Sequence, residues 1–381
     1  MAVAMLASAH GFARQWSLRA RTATSRHVVS AAADAASGTE CLRSRLLRGG
    51  HSYGPMLMSG SPLIAELLAG VGYGHLVVDH EHSPVDVTSG VAMLQAIDAA
   101  AAGAYVASAG APRTEPIVRV PSSDTVYLKK VLDTLRPPGG VIVPMVETAA
   151  EAAAVVFACR YPPRGVRGCA HPFVRASGWG MDAAYADDDA DDNADGAAGG
   201  SGAAGRPRCE AELLVCVQVE SAAAVEHVAE IAAVPGVDCV FLGPFDISCS
   251  VGKMGQFEDP QVAALLARAE QQVLAVAAAR RGDGGGGGGG GWGPILGGFR
   301  PPGRALDEMY AGGYQLVCGG VDLGLLREAA KVDVMAERSA CHPLGSLGGA
   351  KAHSRVDHRG HKNSIKRRSR SFGPCGAPKI I

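Results

Sequence analysis

The chain has 381 residues, 47% of them hydrophobic, enough for one large domain or two ordinary ones around a sizeable core. Its formal net charge is −1, so bulk charge does not draw it to nucleic acid or to a membrane. The ten cysteines form no Cys-x-x-Cys pair and read as reduced thiols in an intracellular compartment, and no apolar stretch reads as long and pure enough to span a bilayer.

The first 33 residues carry Arg14, Arg19, Arg21 and Arg26, several Ser and Thr, and no Asp or Glu. That is the composition of an organelle transit peptide, mitochondrial or plastid, with a merely disordered Ala-rich N-terminus on a cytoplasmic protein as the alternative; either way residues 1–45 are expected to lie outside the folded unit. Eight short apolar runs follow: Pro55–Met58, His75–Asp79, Pro116–Val120, Val141–Val146, Leu213–Glu220, Cys239–Gly243, Pro294–Gly298 and Gln315–Val321. Segments of helical period separate most of them: Pro62–Ala69, Gly90–Ala102, Thr125–Leu135, Ala149–Arg160, Ala222–Ala233, Pro260–Arg280 and Arg304–Ala311. Eight strands alternating with helices predict a parallel (β/α)8 barrel of the TIM type over residues 50–335. An open doubly wound sheet is the alternative; the strand count and the lack of a Gly-x-Gly-x-x-Gly turn after the first strand weigh against it.

Two low-complexity segments interrupt the pattern. Met181 to Gly205 contains seven Asp and then turns Gly/Ala-rich, and Gly284 to Gly291 is an unbroken run of eight glycines. Both are expected to be mobile loops, within residues 181–208 and 282–293, because neither buries enough apolar area to offset ordering. The Asp cluster lacks the spaced ligands of a calcium loop, and the polyglycine lacks the Lys-Ser/Thr of a phosphate loop. From 336 onward the chain reads as a disordered basic tail, with a nucleic-acid or localisation patch as the alternative and only Phe372 among its basic residues for stacking on nucleotides.

Strand ends carry the chemistry. The fifth run closes on Glu220 and the sixth leads to Asp246, each at the C-terminal end of a buried parallel strand, the end where barrels and open sheets place their sites. Two carboxylates there suit a hard divalent cation. After the second run comes Asp79-His80-Glu81-His82, the third ends at Arg119, and Gln218 precedes Glu220. An imidazole, a guanidinium and two carboxylates at one mouth suit a small anionic substrate on a metal. Taken singly, each has a plainer reading. Glu220 or Asp246 could bond a helix N-terminus, His82 could be structural, and Arg119 could pair with Asp79 or Glu81. Asp133, on a helix, reads as a solvated or capping residue.

The segments Gly74–His82, Pro116–Val120, Val143–Thr148, Arg160–Gly168, Arg175–Ser177, Val217–Glu220, Leu242–Asp246 and Gly320–Asp322 together resemble the HpcH/HpaI aldolase family from about Ser52 to Ala330. These are metal-dependent pyruvate aldolases related to citrate lyase β. The resemblance implies a TIM barrel, with Glu220 and Asp246 as ligands of Mg²⁺, Mn²⁺ or Co²⁺, and with Gln218, Gly243 and Pro244 lining the pyruvate pocket. It implies that Arg119 binds the oxo acid and steadies its enolate, that His82 is the acid/base residue, and that Asp79 and Asp133 lie near His82 and orient it. It implies cleavage of a 4-hydroxy-2-oxo acid to pyruvate and an aldehyde without a lysine Schiff base, in a homo-oligomer, usually a hexamer with exchanged helices. A CoA-thioester lyase of the citrate or malyl type and an inactive oxo-acid-binding barrel are the alternatives. Two departures flank the site. His80 stands where the family has Gly, and Phe245 where it has Ala; bulk at either place is expected to narrow the pocket. The 181–208 insertion follows Arg175-Ala-Ser177 and is expected near the pocket cover.

Overall fold

The computed structural model describes residues 40–102, 113–189, 206–282 and 293–341. The Arg-rich segment expected as a transit peptide, the polyglycine run and most of the expected basic tail lie outside them. Eight parallel strands close into a barrel: β1 (Ser52–Leu57), β2 (His75–Asp79), β3 (Glu115–Arg119), β4 (Gly139–Val143), β5 (Leu213–Val219), β6 (Cys239–Leu242), β7 (Ile295–Phe299) and β8 (Tyr314–Val321). Each strand pairs with its sequence neighbours and β8 closes on β1. This is the (β/α)8 barrel that the alternation predicts.

The strands are mostly apolar because both faces are buried, with His75, Asp79, Glu115, Arg119 and Gln218 as buried polar exceptions near their ends. Met56, Val77, Ile117, Ile142, Leu214, Cys216, Cys239, Phe241, Ile295 and Leu316 fill the interior. The alternate residues Val78, Val118, Val143, Val215 and Val240 pack outward beneath the helices.

Those helices are α2 (Pro62–Val71), α3 (Val87–Ala102), α4 (Thr125–Thr134), α5 (Ala149–Cys159), α6 (Ala222–Glu226), α7 (Val228–Ala232), α8 (Pro244–Ser250), α9 (Pro260–Gly282), α10 (Leu306–Ala311) and α11 (Asp322–Cys341). Their starts are written in the sequence. Ser61 caps α2 through Ile64 N, Asp124 caps α4, and Thr148 with Glu151 forms a capping box on α5. The segment expected as one helix after β5 is instead two short helices that meet at His227. By length and mean hydropathy (1.3), Pro260–Arg281 could cross a membrane, contrary to the expectation that no stretch qualifies. Here one face of that helix, with Val262, Leu266, Ala269 and Val273, packs against the barrel.

An additional helix, α1 (Leu42–Leu47), closes the N-terminal end. Leu42 and Leu46 enter the interior cluster. Leu42 N donates to Glu115 Oε1 at 2.6 Å, and Arg43 pairs with buried Asp238 at 2.9 Å. The folded unit therefore begins about ten residues before the expected boundary at 50. It also ends later, because α11 runs to Cys341, past the expected boundary at 335.

The insertion after Arg175–Ser177 sits between α5, which descends from the mouth to the base, and the first residue of β5. It therefore emerges at the base of this barrel, opposite the strand ends that carry Glu220 and Asp246, and not at a pocket cover. Its two stems are ordered, correcting the expectation of one mobile loop. Asp188–Asp189 pairs with Arg206–Pro207, and Arg208 bonds Asp182 at 2.5 Å and Glu212 at 2.9 Å.

Candidate active site at the barrel mouth

Register brings the first pair together. Asp79 and Arg119 are direct partners across β2 and β3. Their side chains meet in a two-pronged ion pair, Arg119 Nε to Asp79 Oδ1 at 2.8 Å and Nη2 to Oδ2 at 2.8 Å. Glu81, two residues beyond Asp79, reaches the remaining prong, with Oε2 at 3.1 Å from Arg119 Nη1. Burial disfavours the Arg119 charge, but Asp79, Glu81 and Glu220 outweigh it and hold the guanidinium ionised.

Glu220 follows β5. Its Oε1 accepts from Met145 N at 2.7 Å, and its Oε2 accepts from Gln218 Nε2. Met145 sits just past β4, where Pro144 has ended the strand, and its φ is +55°. That left-handed conformation is strained for a methionine. It aims the N–H at Glu220.

The next turn is built around the same carboxylate. A Cβ on Gly243 would lie 2.6 Å from Glu220 Oε2 and 2.9 Å from Gln218 Nε2, so only glycine fits. Pro244 then starts α8, and Asp246 lies in its first turn. Burial pushes the Glu220 carboxyl up to about 7; Glu81 and Asp246 add to the shift, while Met145 N–H and Arg119 oppose it. Glu81 is likewise raised, first by burial, with Asp79 and Asp246 contributing against Arg119 and His82. The mouth thus gathers Asp79, Glu81, Glu220 and Asp246 around one cation, Arg119.

Such an excess of buried negative charge fits a divalent cation. Among the described residues no three His, Cys, Asp or Glu side chains are placed to hold an ion unaided. Glu220 and Asp246 would supply two ligands and leave the remaining positions to water and substrate oxygens. Gln218 Oε1 is buried without a hydrogen-bond partner, an acceptor left open beside the carboxylates.

The structure brings Asp79, Arg119, Gln218, Glu220, Gly243, Pro244 and Asp246 to one end of the barrel. His82 stands at the rim, its side chain 58% exposed and Nε2 3.7 Å from Glu81 Oε1. Asp133 does not join them. It lies in the last turn of α4, at the base, and pairs with Arg167 at 3.0 Å, so within this chain it cannot orient His82.

The two departures also resolve. His80 turns out of the mouth: its Nδ1 is 2.9 Å from Tyr127 Oη, and its Nε2 occupies space where a Cβ on Gly90 would come within 2.5 Å. It does not narrow the pocket. Phe245 stays beside the mouth, edge-on to Phe257 and Phe299. Glu81 is the site residue that sequence reasoning left without a role. The spacing Asp79-x-Glu81 at a strand end was the available signal.

A closed barrel whose mouth holds a carboxylate cluster beside a buried arginine defines an α/β-barrel protein with a charged site at its strand ends. Residues 54–329 match the HpcH/HpaI aldolase/citrate lyase family, and the chain belongs to that family. It is 34% identical over 291 residues to a hydroxypyruvate/pyruvate aldolase of Delftia acidovorans, covering 76% of this chain and 88% of that one. It is 38% identical over 231 residues to a 4-hydroxy-2-oxovalerate aldolase of Rhodococcus jostii, covering 61% and 76%. The crystal structure of a family protein from Burkholderia cenocepacia superposes with a TM-score of 0.63 at 31% identity, over 78% of this chain and 99% of that one.

Proposed function

We propose that the chain cleaves a 4-hydroxy-2-oxo acid to pyruvate and an aldehyde, and catalyses the reverse condensation, with a divalent cation held by Glu220 and Asp246. The aldolase class follows from the family; the substrate class rests on the site. One observation carries it: Glu81, Glu220 and Asp246 converge beside Arg119 at the strand ends. When bound, Mg²⁺, Mn²⁺ or Co²⁺ supplies Lewis-acid polarisation of the substrate's oxo group.

The protein's own groups do the rest. Arg119, locked by Asp79 and Glu81, faces the anionic end of the substrate and stabilises the charge that grows there. Gln218 and the Gly243-Pro244 turn line the floor. His82, or a water beside it, takes the proton of the 4-hydroxyl. The electron pair of the C3–C4 bond passes to C3, C4 departs as the aldehyde, and the pyruvate enolate regains a proton at C3.

The purified chain with Mn²⁺, pyruvate and a short aldehyde should form the condensed acid, and EDTA or Glu220→Ala should abolish it. Turnover of malyl-CoA alone, or oxalate binding without condensation, would contradict this reading.

The working form is a homo-oligomer with small-molecule substrates and no nucleic-acid or membrane partner. Its support is α11, a 20-residue helix that leaves Leu323, Leu325, Leu326, Val332 and Met335 exposed. Light scattering should return a multiple of the chain mass, reduced by Leu326→Glu. A monomer for the unmodified chain would refute the assembly.

A further inference from the structure

The polar groups of the mouth leave one stretch of its wall to aromatic side chains. Asp79, Glu81 and Arg119 stand at β2 and β3. Strand β7 lies four strands away from β3 in an eight-stranded ring, on the opposite wall. There the side chains are aromatic. Phe299, at the end of β7, packs on the barrel-interior cluster. Phe245 lies edge-on to it, centroids 5.6 Å apart at 72°, and edge-on to Phe257 at 4.9 Å and 83°. Phe245 immediately precedes Asp246 and remains 40% exposed. An aromatic ring that the core does not need is thus left open to solvent next to a carboxylate. Phe257 also lines a groove of about 350 Å³ between α9 and the turn after β7, which pairs apolar residues such as Leu266, Pro301 and Pro302 with the charged Glu258, Glu270, Arg304 and Glu308. The three rings therefore form one aromatic run from the interior at Phe299, beside Asp246, to the edge of that mixed groove.

We propose that Phe245, Phe257 and Phe299 form an apolar wall that receives the part of the substrate remote from its oxo-acid end, and so select aldehydes with an apolar substituent over hydroxylated ones. The inference rests on the aldolase reading above. A substrate whose anionic end faces Arg119 points its other end across the barrel at Phe299 and Phe245. A hydroxyl there loses its water without gaining a partner, whereas a methylene gains contact with the rings. Among the described residues, the family-typical small residue at 245 would leave no link between Phe299 and Phe257.

The test uses the full chain loaded with Mn²⁺. Exchange of the pyruvate methyl protons with D₂O, followed by NMR, reports enolate formation and tests the aldolase reading without any aldehyde. Condensation is then measured with ethanal, propanal, butanal and glycolaldehyde. In each case pyruvate C3 bonds to the aldehyde carbon, the carbonyl oxygen takes up a proton, and the methyl group gives one up. The wall predicts kcat/KM rising about fourfold per methylene. It also predicts propanal favoured over glycolaldehyde, which differs from it by a hydroxyl in place of a methyl. Phe245→Ala should cut the butanal-to-glycolaldehyde ratio at least tenfold, and Phe257→Ala, which alters only the outer edge of the wall, should cut it severalfold. Phe245→Leu should retain most of the ratio. Proton exchange with no preference among aldehydes, or a ratio unchanged in both alanine variants, would overturn the wall and leave the aldolase reading standing. No proton exchange would overturn both.

Discussion

The two ends of this barrel use the same residue types to opposite effect. At the base, Glu115 is pushed up to about 7 by burial, much as Glu220 is at the mouth. The base pairs its charged residues within the fold, although Glu115 Oε2 is buried without a hydrogen-bond partner. Leu42 N–H bonds Glu115, Arg43 pairs with Asp238, Arg167 with Asp133, and Arg175 with Asp98. Leu42 and Leu46 then close the end with apolar surface. At the mouth, four carboxylates crowd Arg119, with Asp79 and Glu220 buried among them. A perturbed carboxyl therefore marks function only where the charge around it is left unbalanced and open. By that measure the base is a structural end and the mouth a binding end.

Substitutions should separate the two. Arg43→Ala strands buried Asp238 and should cost about 3–5 kcal/mol in chemical unfolding, with kcat of the folded protein unchanged. A kcat loss matching the stability loss would erase the distinction. Arg119→Lys keeps the charge but breaks the two-pronged pair with Asp79. It should lower kcat/KM by about 10²–10³-fold, with the larger share in kcat. Glu115 gives a pH signature. Its folded pKa lies above its ordinary value, so its contribution to stability is complete below about 4.5 and is lost as pH rises through 7. Glu115→Gln should flatten the decline in melting temperature over that window, an effect of up to about 3 kcal/mol. An unchanged pH profile would show that Glu115 does not titrate there. The smallest effect belongs to Gly90→Ala. A methyl there meets His80 Nε2, and stability should fall by about 1 kcal/mol with aldehyde preference unaltered.

Much of this was legible in the sequence. Runs such as Leu213–Val217 are apolar on both faces because a parallel barrel strand is buried on both sides, and that signal located all eight strands. Strand-end chemistry then pointed to Arg119, Glu220 and Asp246. What was missed depends on contacts distant in sequence. Leu42–Leu47 is too short for periodicity to register, and it is defined by Glu115 and Asp238. Helix α8 is masked by its Gly-Pro start. Asp133 followed from resemblance alone, and its partner Arg167 is 34 residues away in sequence. The directions of His80 and Phe245 were invisible for the same reason. One turns into the space left by Gly90; the other is held by two phenylalanines more than ten residues away.

The central claim is that the mouth, and not the base, is short of positive charge by the amount a divalent ion supplies. Mn²⁺ titration of the full chain, followed by electron paramagnetic resonance at pH 8, tests it directly. One ion per chain is expected, bound about 100-fold more weakly or worse in Glu220→Gln and in Asp246→Asn. Glu115→Gln should bind like the parent within about twofold, because its carboxyl lies at the start of β3, at the end of the barrel opposite Glu220 and Asp246. Wild-type affinity in Glu220→Gln, or an equal loss in Glu115→Gln, would contradict the account.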